Sequence, residues 1–192
     1  TELYELVKRH DIYLLLDEAY SDFLLDHETF VSAGRFDPAK EHVIICNSMS
    51  KNYGMSGWRI GYVITNPELT YQILKVNQHL ITCPSTILEY YLAKHFEEIL
   101  AVTKPQIQEI LLKRRAVTEY IDDLELKYLK GTSTFYIFLS IEDSRLGSEE
   151  FCTKLLFDHK VSAVPGLGYG ESCDKFIRLS VGAENKERTL HG

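Results

Sequence analysis

Ile12-Tyr13-Leu14-Leu15-Leu16 and Val43-Ile44-Ile45-Cys46 are short apolar runs that each stop at a polar loop, and no other feature constrains the fold as much. Continuous apolar runs of this length fit strands buried on both faces of a parallel sheet. Residues 1–10 precede the first run and place Leu3, Leu6 and Val7 on one helical face. A helix feeding such a strand is the pattern of an α/β protein. Ile60-Gly61-Tyr62-Val63-Ile64-Thr65 supplies a third strand of parallel type, stopped by Asn66-Pro67. Asp17 and Lys51 then fall at or just beyond the carboxyl ends of strands, where open α/β sheets place their ligands.

Beyond Asn66 the pattern turns helical. One helix is predicted from Pro67 to Ile81, a second after Pro84-Ser85 to about Ala101, and a third opened by Pro105 and running to about Leu124. In the third, Leu111 and Leu112 mark an apolar stripe beside a solvated basic face carrying Arg114 and Arg115. A different unit follows: a strand from Thr134 to Ser140, a helix from Ser148 to His159, a strand from Val161 to Val164, a Pro165-Gly166 turn and a strand from Phe176 to Ser180. This predicts a partial large domain over residues 1–103 and a smaller α+β domain over residues 104–192. Three strands are fewer than the about five or six of a typical sheet. The chain also starts in a helix and stops as another begins, at Asn185 to Gly192. It therefore reads as part of a longer enzyme, truncated at both ends.

The formal charge of −7 over 192 residues disfavours nucleic acid and anionic membranes, which repel an acidic surface. A small-molecule ligand is the better expectation. Cys46, Cys83, Cys152 and Cys173 form no C-x-x-C pair, and the histidines show no metal-ligand spacing, so no metal is expected and the cysteines read as buried small hydrophobes. No apolar run approaches membrane-spanning length and no secretory leader pattern is visible, which points to the cytoplasm.

The segment Ser48-Met49-Ser50-Lys51-Asn52-Tyr53-Gly54-Met55-Ser56-Gly57-Trp58-Arg59 carries the chemistry. A lysine amine among small hydroxyl residues and glycines, with an arginine eight positions on, can hold an aldehyde by its carbon and a phosphate by its oxygens. Ser48 and Arg59 offer a hydroxyl and a planar guanidinium to such a phosphate. No G-x-x-x-x-G-K-[ST] run is present, so a nucleotide phosphate loop is excluded. Asp17 is read either as a cap or surface carboxylate, or as the partner of a protonated ring nitrogen. Tyr20, three residues on, either packs in the core or aims its hydroxyl at the same ligand.

Taken in order and spacing, Asp17-Glu18-Ala19-Tyr20, the S-x-S-K-x-x-x-M-x-G-W-R-x-G-Y run from Ser48 to Tyr62, the Val164-Pro165-Gly166 turn and Arg178-Leu179-Ser180 resemble the class I/II aminotransferases, pyridoxal 5'-phosphate (PLP) enzymes of fold type I like aspartate aminotransferase. The resemblance runs essentially from end to end. It implies a fold type I α/β architecture: part of the large-domain mixed or parallel sheet plus a smaller α+β carboxyl-terminal domain. It also implies transfer of an amino group between an L-amino acid and a 2-oxo acid. In this resemblance Lys51 matches the Schiff-base lysine, Asp17 the carboxylate on the pyridine nitrogen and Tyr20 the tyrosine on the phenolic oxygen. Ser48 and Arg59 match phosphate ligands, and Arg178 matches the arginine that grips the substrate carboxylate. A homodimer is implied, as is an amino-terminal portion supplying further cofactor contacts, so that residues 1–192 alone are expected to be inactive. Two alternatives keep the resemblance and change the outcome: a PLP-dependent lyase, decarboxylase or synthase of the same fold, or a non-catalytic aminotransferase-like effector-binding domain. The chain has Ser133-Thr134-Phe135-Tyr136 where the family often has Gly-Ala-Phe-Tyr, and Tyr169-Gly170 in place of Phe-Gly.

Overall fold

In the computed structural model, which describes residues 2–25 and 28–192, the chain divides into two compact units, residues 1–107 and 108–192. In the first unit α1 (Glu2–Arg9) leads to β1 (Leu14–Asp17), and β2 (Val43–Ser48) pairs with β1 in parallel, Leu14 opposite Val43 and Asp17 opposite Cys46. Only part of each apolar run is covered. Val7, Val43 and Ile45 are buried, whereas Leu3, Leu6 and Leu15 are exposed, so β1 alternates between a covered and an open face.

The third strand corrects the sequence expectation. After the short helix α2 (Met49–Asn52), β3 (Gly61–Ile64) runs antiparallel to β2, with Ser48 opposite Gly61. A parallel return requires a crossover, usually an α-helix, that carries the chain back to the starting edge of the sheet. The lysine segment instead turns back on itself with one short helix and one 3-10 turn, and Met49 N–H donates to Ile60 O at 3.0 Å to close its base. A Cβ on Gly61 would lie 2.7 Å from Asn47 O, so this closing pair requires glycine.

Helix α3 (Pro67–Leu80) begins at Asn66, whose Oδ1 accepts from Leu69 N–H at 2.8 Å, with Pro67 in the first turn. Helix α4 (Thr86–Asp123) differs from the two helices predicted. The chain stays helical through Pro105 and departs from helical geometry at His95, where φ is −121° and ψ is 19°. An interior proline removes one N–H donor and crowds the carbonyl four residues back, yet α4 continues across Pro105. His95 stacks on Tyr91 with centroids 4.6 Å apart and its Nδ1 lies 2.8 Å from Glu98 Oε2.

The second unit contains β4 (Tyr136–Ser140), α5 (Ser148–His159), β5 (Val164–Pro165), β6 (Phe176–Ser180) and α6 (Lys186–His191). Its antiparallel sheet has the order β4-β6-β5. Ile137 and Ile177 face a core completed by Val117, Ile121 and Val181 on one side and by Ile141 and Cys152 on the other. Two expectations fail here. Arg114 is buried at 5% exposure rather than solvated, its Nε donating to Tyr136 O at 3.3 Å, and burial lowers its pKa. Arg115 remains on the surface, paired with Glu119 one turn on. Of the cysteines only Cys152 is buried; Cys46 and Cys173 are half-buried and Cys83 is exposed.

Asp174 anchors the start of α5. Its Oδ1 accepts from both Ser148 N–H, at 2.9 Å, and Ser148 Oγ, at 2.8 Å, while Ser148 Oγ accepts from Leu167 N–H at 3.0 Å. These donors hold the Asp174 carboxyl below its ordinary value of 3.8. A lowered native pKa means that the carboxylate contributes stability above the unfolded value and loses it as pH falls through the native one. The second unit is therefore expected to lose stability below about pH 4, and Asp174→Asn to flatten that part of the profile while lowering stability at neutral pH. Melting temperatures of both proteins across an acid series provide the check.

Candidate active site

Because β1 and β2 are parallel and Asp17 lies opposite Cys46, Asp17 and Ser48 emerge at the same, carboxyl, ends of neighbouring strands. Asp17 Oδ1 accepts from Ala19 N–H at 3.0 Å, which folds the backbone sharply after β1. Glu18 N–H continues the ladder to Cys46 O at 2.8 Å. The turn brings Tyr20 against Phe23, ring centroids 5.5 Å apart, and Phe23 is buried. The neighbouring Cys46 thiol is raised in pKa, by burial first and by the Asp17 charge second.

Ser48 ends β2 in extended conformation and caps α2, its Oγ accepting from Ser50 N–H at 3.1 Å. Lys51 stands one turn further, half-buried, in the same helix. Its neighbour Asn52 is almost fully enclosed, at 1% exposure. Asn52 Nδ2 donates to Ser21 Oγ at 3.0 Å and Oδ1 accepts from Asp22 N–H at 3.3 Å. This clasp ties the Lys51 helix to the turn that carries Tyr20. Sequence reasoning passed over Asn52, although its position next to the lysine was a usable signal.

Two packed aromatic pairs hold the rest of the loop. Tyr53 lies 5.4 Å from Phe96 and Trp58 lies 5.6 Å from Tyr91, centroid to centroid. Burial, with the Asp22 charge and Tyr62, pushes the Tyr53 phenol up to about 12, so it stays protonated at neutral pH. Arg59 closes the loop in the left-handed region at φ 56°, an uncommon conformation for a residue with a Cβ. Its exposed side chain donates from Nη1 to Ser56 O at 3.0 Å. The first unit thus carries Asp17 and Ser48 at the ends of paired strands, Tyr20 on the turn after the first, and Lys51 and Arg59 on the loop after the second.

Arg178 belongs to the second unit, in the middle of β6 opposite Phe138. Strand alternation puts Tyr136, Phe138, Phe176 and Arg178 on the face away from Ile137 and Ile177. The guanidinium carbon lies 4.2 Å from the Tyr136 ring centroid and 5.3 Å from that of Tyr169. Arg178 Nε is buried without a hydrogen-bond acceptor.

Comparison with known proteins supplies the remaining observation. The family described as aminotransferase class I and II matches residues 1–191. The chain belongs to this family. It is 36% identical over 181 residues to a (5-formylfuran-3-yl)methyl phosphate transaminase of Methanocaldococcus jannaschii, covering 93% of this chain and 48% of that protein. It is 30% identical to an aspartate aminotransferase of Pyrococcus abyssi, covering 93% of this chain and 46% of the relative. Among solved structures, a Methanococcus jannaschii protein described as similar in its active site to kynurenine aminotransferases matches with TM-score 0.88 at 33% identity, over 100% of this chain and 51% of that one. The aromatic aminotransferase of Pyrococcus horikoshii matches with TM-score 0.89 at 28% identity, over 98% of this chain and 51% of that one. The chain spans about half the length of the curated relatives it matches. Its fold is that of the fold type I, aspartate aminotransferase-like proteins, and the two units are a partial representation of it. Among the described residues no helix is long and apolar enough to cross a membrane.

Proposed function

We propose that this chain works in a PLP-dependent aminotransferase that moves an amino group between an L-amino acid and a 2-oxo acid. The observation that supports the reading is that Asp17 and Ser48 close neighbouring parallel strands, with Lys51 on the helix that follows Ser48, within a family match over residues 1–191. The donor set fits the cofactor: an amine, a carboxylate and a phenol for its aldehyde, ring nitrogen and phenolic oxygen, and a hydroxyl and guanidinium for its phosphate. When bound, PLP supplies an aldehyde carbon that bonds to nitrogen and a protonated ring that takes up the electron pair left at the substrate α-carbon.

The chain's own groups do the rest. Lys51 Nζ is the amine that would hold the cofactor's aldehyde carbon, and as a free amine it would carry a proton to and from the substrate α-carbon. Asp17, as a carboxylate, would keep the ring nitrogen protonated, and the Tyr20 hydroxyl would hydrogen-bond the phenolic oxygen. Ser48 and Arg59 would hold the phosphate. Arg178 takes the substrate carboxylate by two parallel N–H bonds, which orients the α-carbon. We assign residues 1–103 to part of the large cofactor-binding domain and residues 104–192 to the small domain. The assembly is a cytoplasmic homodimer with no nucleic-acid or membrane partner, in keeping with the net charge of −7.

Product analysis after one half-reaction tests the chemistry. With PLP and an L-amino acid, the full-length protein should yield one 2-oxo acid and one pyridoxamine 5'-phosphate per site. Release of carbon dioxide or ammonia with PLP left as the aldehyde would assign it to the decarboxylases or lyases instead.

A further inference from the structure

An arginine that must receive a ligand cannot be locked by a carboxylate of its own, yet it must be held still. Among the described residues no Asp or Glu forms an ion pair with Arg178. Its guanidinium is instead stacked on Tyr136, with the Tyr169 ring farther off. Tyr136 is in turn fixed from two sides. Its carbonyl accepts from the buried Arg114 at 3.3 Å, and its N–H donates to Thr134 Oγ1 at 3.2 Å. Thr134 holds a φ of 65°, a costly conformation for a β-branched residue that persists only where its surroundings enforce it. Residues 133–136 are also a segment in which the chain departs from the commoner Gly-Ala-Phe-Tyr pattern.

We infer that Tyr136 is the positioning residue for Arg178, its ring holding the guanidinium by face so that the in-plane Nη N–H groups remain available to a carboxylate ligand, while the enclosed Nε–H faces no acceptor. This rests on the reading of Arg178 as a carboxylate-binding residue. Stacking suits the task because attraction between a cation and a ring acts perpendicular to the guanidinium plane, whereas a bidentate carboxylate binds within it. The two interactions do not compete. Arg114 and Thr134 act further back, by fixing the backbone that carries the ring.

The test is NMR of the arginine Nε–H groups in the full protein, with propionate as the probe and Arg178→Lys to assign the resonance. In the wild type and in Tyr136→Phe, the Arg178 Nε–H should be displaced upfield by the ring current and should shift on propionate addition with similar affinity. In Tyr136→Leu the displacement should vanish and propionate affinity should fall roughly three- to thirty-fold. Unchanged shift and affinity in Tyr136→Leu would overturn the role of Tyr136 while leaving Arg178 as the carboxylate site. Undiminished propionate affinity in Arg178→Lys would overturn the underlying reading and the inference with it. Should Tyr136→Leu fail to fold, the wild type still decides: an Arg178 resonance at the position of an unstacked arginine rejects the stack.

Discussion

Replacing Lys51 with alanine in the full-length protein is expected to reduce amino-group transfer on the order of 10⁴-fold or more, because in the proposed mechanism this amine is both the covalent anchor and the proton carrier. The fold should survive. Lys51 is half-buried on a four-residue helix whose attachment depends on its neighbour Asn52 and on the Ser48 cap, neither of which the substitution touches. Alanine also has the higher helix propensity. Steady-state transamination with an L-amino acid and a 2-oxo acid, alongside circular dichroism, measures both halves of this statement. A near-wild-type rate would remove Lys51 from the chemistry.

Arg178→Ala is expected to act differently, raising KM for the amino acid on the order of 100-fold. Two charge-assisted hydrogen bonds to a carboxylate are lost, each worth about 1.5–3 kcal/mol and not fully additive. A smaller fall in kcat should accompany it, since an unclamped substrate is less well oriented at the α-carbon. The strand should persist, because β6 is held by Ile177 in the core and by backbone pairing to β4 on one side and β5 on the other. An unchanged KM would exclude Arg178 from substrate binding.

The strand ends and the loop between them were legible because β1 and β2 are written as short apolar runs that stop at a carboxylate and a serine. The direction of β3 was not read correctly, since an apolar run has no polarity. The distinguishing signal lay in residues 49–60, where no helical periodicity offers a crossover. Proline suits the first turn of a helix and so marks Pro105 as a start, whereas in the structure it lies inside α4 and the geometry breaks at His95. Arg114 looked like its neighbour Arg115, and only tertiary packing separates them: one meets the Tyr136 carbonyl in the interior, the other a surface glutamate. Tyr136 carries no pattern of its own, and Asn52 only its place beside the lysine. Their importance comes from what they touch across the fold, at separations of 42 residues to Arg178 and 31 to Ser21.

The central claim is that Lys51 holds the cofactor. The most direct measurement is to load the full-length protein with PLP, confirm by absorbance that it is bound, reduce with borohydride and map the modified peptide by mass spectrometry. A pyridoxyl group on Lys51, absent from Lys51→Ala, is the predicted result. A loaded protein that gives no adduct, or an adduct on another lysine, would contradict it.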